Sequence, residues 1–189
     1  MMPSSVLLVP LQLCCLIVMM VSMPTCKLPG NVIQPTHALL EDMGDAFPAQ
    51  CRQFNGKIQF PAPPFSGGPA THPQCHWTSL VVYESLRGAE LIFLQYELPK
   101  GEGGVTWDEQ KLEQFRNLQD RLVQDHLCVS IRTRSSSGLL SPYFNNVTAV
   151  VEQTDSAVCG WESLRRDLLK VLKVALHRHH SCFNWTRAH

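Results

Sequence analysis

The run Cys159-Gly160-Trp161-Glu162-Ser163-Leu164-Arg165-Arg166 sets the register of a long amphipathic helix, read here from about Cys159 to His180. A cysteine opens the helix and the tryptophan two places on faces inward. Arg165, one turn beyond the tryptophan, is expected to stay near the surface. At about 100° per residue, Trp161, Leu164, Leu168, Val171, Leu172 and Ala175 fall on one half of the wheel. Arg166, Lys170, Lys173 and His177 fall on the opposite half, with Arg165, Leu169 and Leu176 along one boundary. A basic face is ordinarily a solvated face. An apolar side chain beside a fixed arginine, as on the boundary strip, is the usual make-up of an interface hot spot.

Working outward, four more helical stretches can be drawn. The first opens at Pro35, a residue suited to a first turn, and places Leu39, Leu40, Met43 and Phe47 on one face before Pro48 and Cys51 close it. The passage from Phe60 to Pro73 is too rich in proline and glycine for a regular element. A loop this long in a compact domain needs a reason. An up-up-down-down bundle supplies one, because the chain must run the length of the bundle between parallel helices. The second helix covers roughly Thr78 to Leu98, with Val82, Leu86, Ala89, Phe93 and Tyr96 at helical spacing. A capping box at Thr106-Trp107-Asp108-Glu109 starts the third, which turns Leu112, Phe115, Leu118 and Leu122 inward. After a basic loop, Arg132 to Gly138, Ser141-Pro142 caps a short fourth helix with Phe144, Val147 and Val151 on its buried side. No strand-like alternation is strong anywhere. The fold class is all-α: an up-up-down-down bundle of five helices with a long first crossover loop.

Val6 to Val21 form an apolar run that is too short to span a bilayer comfortably, contains Pro10, and lacks a basic flank after it. Residues 1–25 are therefore read as a secretory signal peptide cut between Ser22 and Cys26, leaving one domain over 26–189. The expected location is extracellular, without membrane insertion. Of eight cysteines, Cys14 and Cys15 leave with the leader, and Cys26, Cys51, Cys75, Cys128, Cys159 and Cys182 remain. An even number in an exported chain implies three disulfides, although spacing alone leaves their pairing open. Two sequons, at Asn146 and Asn184, suit the same route. Sixteen basic and sixteen acidic residues balance, so no strong field steers the chain to nucleic acid.

The helix at Cys159 resembles the last helix of type I interferons, where the family pattern is Cys-Ala-Trp-Glu-x-x-Arg. Tyr143-Phe144-x-x-Val147-Thr148 resembles the start of the preceding helix. Trp107-Asp108-Glu109-x-Lys111-Leu112 is similar to the corresponding helix of the fish members. The resemblance implies disulfides Cys26–Cys128 and Cys51–Cys159, each closing a loop on the order of 100 residues that the chain-entropy model values at roughly 4–5 kcal/mol. Cys75 and Cys182 are left over; a third bridge, free thiols or pairing between chains all stay open. It also implies a secreted antiviral cytokine that joins the two chains of a class II cytokine receptor, triggers JAK–STAT signalling and induces interferon-stimulated genes. The tighter receptor contact in the family uses the first long loop and the last helix. Arg165 matches the family arginine, and Leu169 and Lys170 match neighbouring receptor-facing positions. Arg166 stands where mammalian members have a small residue. Arg52 and Phe54, after Cys51, are receptor candidates by position. The partner set is thus a heterodimeric receptor ectodomain pair, with the cytokine a monomer and a weak dimer left open.

Three rival readings differ in class. An enzyme lacks support: there is no Gly-x-Ser-x-Gly, His-Glu-x-x-His, P-loop or Cys-x-x-Cys. No cofactor and no metal are expected, since His177 and His180 sit one turn apart without a second ligand pair. Interleukin-10-like and lambda-type cytokines share the bundle class but have other cysteine frameworks. A basic heparin-binding or antimicrobial protein would act through the Arg166 face and lose its partner as salt is added.

Overall fold

The computed structural model describes residues 26–61, 72–131 and 138–186. The expected leader, most of the Phe60–Pro73 passage and most of the Arg132–Gly138 loop lie outside the described residues. The α-helices are α1 (Gly30–Asp42), α2 (His72–Gln95), α3 (Glu109–Asp125), α4 (Leu127–Ile131), α5 (Ser141–Val151) and α6 (Ala157–Arg178), with 3-10 turns at Ala49–Gly56 and His180–Cys182. The four long helices and α5 correspond to the five expected, and α4 is an addition no periodicity could reveal in five residues.

Cross-links define the helix directions. Gly30 at the start of α1 donates its N–H to the carbonyl of Asn184, beyond the end of α6, at 2.7 Å. The end of α1 meets Arg165 near the start of α6, and Met43 accepts from the N–H of Asp108, just before α3, at 2.6 Å. So α1 runs against both α3 and α6. Cys75 in the first turn of α2 is bonded to Cys182 beyond α6, which sets α2 antiparallel to α6 and parallel to α1. The result is up-up-down-down, with α1 packed on α3 and α6, and α2 packed on α3, α4 and α6. The other bridges are Cys26–Cys128 and Cys51–Cys159, the two pairings the resemblance implied, so the leftover pair, left open by the sequence, is joined as a third.

Helix α2 is the central one. Its residues from Thr78 to Tyr83 are all buried, as are Ser85, Leu86 and Ala89, because neighbours cover it on several sides. Gly88 lets α5 come close: a side chain there would overlap the ring of Phe144. Where the family pattern has alanine, Gly160 plays the same part between α5 and α6, since an added Cβ would lie 2.6 Å from a methyl of Val151.

Four helices differ from expectation at their ends. Helix α1 begins at Gly30, so Pro35 lies inside it. The lost proline N–H deprives only the carbonyl of exposed Asn31, one turn earlier. In return, the first turn is clamped by Cys26–Cys128, by buried Leu28 and by pairing with Asn184. Phe47 lies beyond the helix, which stops at Asp42. Helix α2 starts at His72, ahead of Thr78, and leaves Tyr96 outside its end. The N-cap of α3 is Asp108 rather than Thr106, its carboxylate accepting from the N–H of Lys111 at 2.9 Å. At α5, Leu140 holds the N-cap position without a side-chain cap from Ser141. Tyr143 takes the interior place there, while Phe144 is only half-buried.

Between α2 and α3, Glu90 and Asp120 face one another. Burial raises the Glu90 pKa, and the charge and hydrogen bond of Asp120 raise it further against the opposing pull of Arg87. A carboxyl whose folded pKa is raised binds more protons in the native state. Its stabilising contribution is present below the unfolded pKa and is lost as pH rises through the folded value. Glu90→Gln is therefore expected to melt above the parent at neutral pH, with the gap closing as pH falls through the carboxylate range. Paired melts across that range check it; a gap independent of pH would contradict the assignment.

Candidate functional site

The end of α1 presents a run of backbone carbonyls that helix geometry leaves without partners. Every carbonyl from Leu39 to Asp45 finds one. Leu39 accepts from the N–H of Met43 (2.9 Å) and Met43 from that of Asp108 (2.6 Å), while Asp42 accepts from Lys111 Nζ (3.0 Å). The remaining four bond to a single side chain. Arg165 donates from Nε to Leu40 (2.8 Å), from Nη1 to Asp45 (2.7 Å), and from Nη2 to Glu41 (3.1 Å) and Gly44 (2.5 Å). A planar guanidinium fork suits this geometry where an ammonium would not.

Arg165 is thus 6% exposed, contrary to the surface position expected of it. The wheel places residue 165 at the edge of the apolar face; the end of α1, more than a hundred residues earlier, closes over that edge. The counter-charge is Glu162, whose Oε2 lies 3.5 Å from Arg165 Nη1. Glu162 Oε1 accepts from the indole N–H of Trp107 at 2.7 Å. Burial raises the Glu162 pKa, and the Trp107 hydrogen bond and Arg165 charge oppose that rise. Trp107, Glu162 and Arg165 therefore tie α3, α6 and the loop after α1 into one unit.

Arg166 turns the other way. Its Nε and Nη2 donate to Asp167 at 2.9 and 3.0 Å, and its Nη1 donates to Asn55 of the 3-10 turn. Its guanidinium lies 4.6 Å from the centroid of the Phe47 ring, a cation–π arrangement. Asp167 also accepts from the hydroxyl of buried Tyr143 at 3.1 Å. Burial and then the Asp167 charge hold that phenol well above its ordinary pKa, so it remains a donor. Arg166, expected on the solvated face, is instead pinned between α6 and the loop.

These contacts leave a shallow concavity of about 400 Å³ between the loop and α6, bordered by Glu41, Gly44, Phe47, Arg166 and Leu169. Leu169 is half-buried and Lys170 is exposed one place on. On the 3-10 turn, Phe54 is half-buried against the core with Lys57 Nζ 5.8 Å from its ring, while Arg52 is exposed. Of the six residues expected to form the face, Arg165, Arg166 and Leu169 line one concavity. Lys170 is exposed on α6 without lining it, and Arg52 and Phe54 sit on the turn that contacts Arg166 through Asn55. Phe47 and Asn55 were missed as members: the first was read as part of α1, and the second carries no motif. Asp167 beside two arginines was the signal available for the polar link.

No family model matches the sequence, and no curated protein matches it by sequence. Among solved structures, zebrafish interferon 2 superposes with a TM-score of 0.62 at 24% identity, over 79% of this chain and 98% of that one. The chain has the fold of a fish type I interferon. Within that interferon fold, the loop after α1 and the last helix form one continuous surface, joined by Arg165 beneath it and Arg166 across it. Among the described residues no helix is long and apolar enough to cross a membrane.

Proposed function

We propose that this chain is a secreted, antiviral interferon-type cytokine that joins two class II cytokine receptor chains and starts JAK–STAT signalling. The observation that carries the reading is the surface just described. The segment 44–57 and residues 165–170 of α6 meet as one rigid, mixed apolar and basic face. Interface hot spots combine apolar anchors with ordered arginine in this way. Leu169, Lys170 and Arg166 are the contact residues, Phe54 and Arg52 extend the face, and Arg165 acts beneath it by positioning the loop. The apolar run at Val6–Val21 and three disulfides support passage through the secretory route. The protein acts as a monomer that carries glycan on its sequons.

Sulfated-polymer binding through the α6 basic face is disfavoured as the main activity, because Arg166 already has Asp167 as its ion partner. The test is STAT phosphorylation in cells of the source species after a brief dose of oxidised protein lacking residues 1–25. Leu169→Ala is expected to lower potency roughly ten-fold, corresponding to about 1.4 kcal/mol of contact, with only a small fall in melting temperature because the side chain is half-buried against the core. No phosphorylation by the parent across several cell types would overturn the proposal.

A further inference from the structure

After α6 the chain is folded back as a clasp. Cys182 is bonded to Cys75, Phe183 is buried, and Asn184 donates its N–H to Leu28 at 2.9 Å while its carbonyl accepts from Gly30. Trp185 stacks on His180 with ring centroids 4.0 Å apart and donates its indole N–H to the His180 carbonyl at 2.8 Å. Its ring also packs on Gly30, where an added Cβ would lie 2.5 Å from Trp185 Cε2. The bulky middle residue of the sequon Asn184-Trp185-Thr186 is thereby held against the protein.

The two outer residues of that sequon line a cleft of about 220 Å³. Its other walls combine the apolar Pro29, Val32 and Leu122 with the polar Asn31, Arg121 and Asp125. Asn184 Oδ1 accepts from the N–H of Thr186 at 3.1 Å and from its hydroxyl at 2.6 Å. The amide nitrogen Nδ2 has no hydrogen-bond partner among the described residues. An N-acetylhexosamine offers an apolar ring face and acetyl methyl together with hydroxyls, which is the complement of such a wall.

We propose that Asn184 is N-glycosylated and that the proximal N-acetylglucosamine seats in this cleft, joining the tail to α1 and α3. The inference rests on the secretory reading above. In the transfer, Nδ2 attacks the anomeric carbon of a lipid-linked pyrophosphate oligosaccharide. The C1–N bond forms as the C1–O bond breaks, Nδ2 gives up one proton, and the lipid pyrophosphate leaves. Asn146, exposed on α5, is the second acceptor and serves as the internal comparison.

The test uses Asn146→Gln protein exported from eukaryotic cells behind a foreign leader, with high-mannose glycans. Intact and peptide masses are expected to show glycan on Asn184. Trimming to a single residual sugar with an endoglycosidase is expected to leave Tm unchanged. Complete removal with an amidase is expected to lower it by about 2–4 °C and to speed amide exchange at residues 30–33. The amidase leaves aspartate at position 184, so an Asn184→Asp protein from the same cells is expected to melt with the fully deglycosylated form, and Asn184→Gln, without the added charge, is expected to melt below the glycosylated parent. An unoccupied Asn184, a Tm indifferent to complete removal, or a Tm already lowered by trimming would each overturn the proposal. Occupancy and melting are independent of signalling, so failure here is separable from failure of the cytokine reading.

Discussion

Arg165→Ala is expected to destabilise the protein by about 3–5 kcal/mol, the range for removing one partner from a buried ion pair. Both side chains of the pair are 6% exposed, so the Glu162 carboxylate would be left with the Trp107 indole N–H and no cation. The carbonyls of Leu40, Glu41, Gly44 and Asp45 would lose their shared donor. An unsatisfied buried polar group costs about 1–3 kcal/mol, but the loop end can move to meet water, so the four losses will not add. Glu162→Gln in the Arg165→Ala background should recover part of the loss by removing the stranded charge. Arg165→Lys should fall between parent and alanine, because an ammonium retains the charge without the fork. Denaturant unfolding followed by far-ultraviolet circular dichroism measures all four proteins. A loss below about 1 kcal/mol for Arg165→Ala would show that the guanidinium does not hold the loop. Under the proposed receptor reading, weakened signalling by an Arg165 variant would report on loop position, and by Leu169 or Lys170 variants on contact.

Trp161→Ala should cost a similar amount for a different reason. Its side chain is fully buried, with ring centroids 4.9 Å from Phe93 and 6.4 Å from Trp107. Truncation opens a cavity at the meeting point of α2, α3 and α6, worth about 3–5 kcal/mol. At roughly 2–4 °C per kcal/mol for a domain of this size, the melting temperature should fall by about 6–20 °C. Trp161→Phe provides a finer test. The Trp161 indole N–H has no hydrogen-bond partner among the described residues, so phenylalanine removes a buried donor as well as volume. It should therefore cost much less than the alanine change. If Trp161→Phe and Trp161→Ala melt together, the indole body is not what fills that space.

The apolar half of α6 was fully legible: Trp161, Leu164, Leu168, Val171, Leu172 and Ala175 are all buried as the wheel requires. Periodicity works there because one helix face meets several neighbours and its phase is repeated over six turns. The start of α1 was not legible, since Pro35 is a plausible first residue and the disulfide and tail contacts that override it lie far along the chain. Thr106 and Asp108 are both good cap residues, and the choice depends on Met43 receiving the Asp108 N–H. At the candidate face the sequence misread depth: Arg165, expected near the surface, is buried. A residue on a wheel boundary is buried or exposed according to what docks there, and what docks over Arg165 is a run of helix-end carbonyls. The sequence names no donor for such carbonyls, so the partition between Arg165 beneath and Arg166 across the face became visible only in three dimensions.

Amide hydrogen exchange of the oxidised protein, free and bound to the receptor ectodomains of its source species, tests the proposed face most directly. Slowed exchange on binding is expected in both 44–57 and 162–173, the two segments that meet at Arg165 and Arg166. Binding that leaves both segments unchanged would contradict a receptor face made from the loop and the last helix.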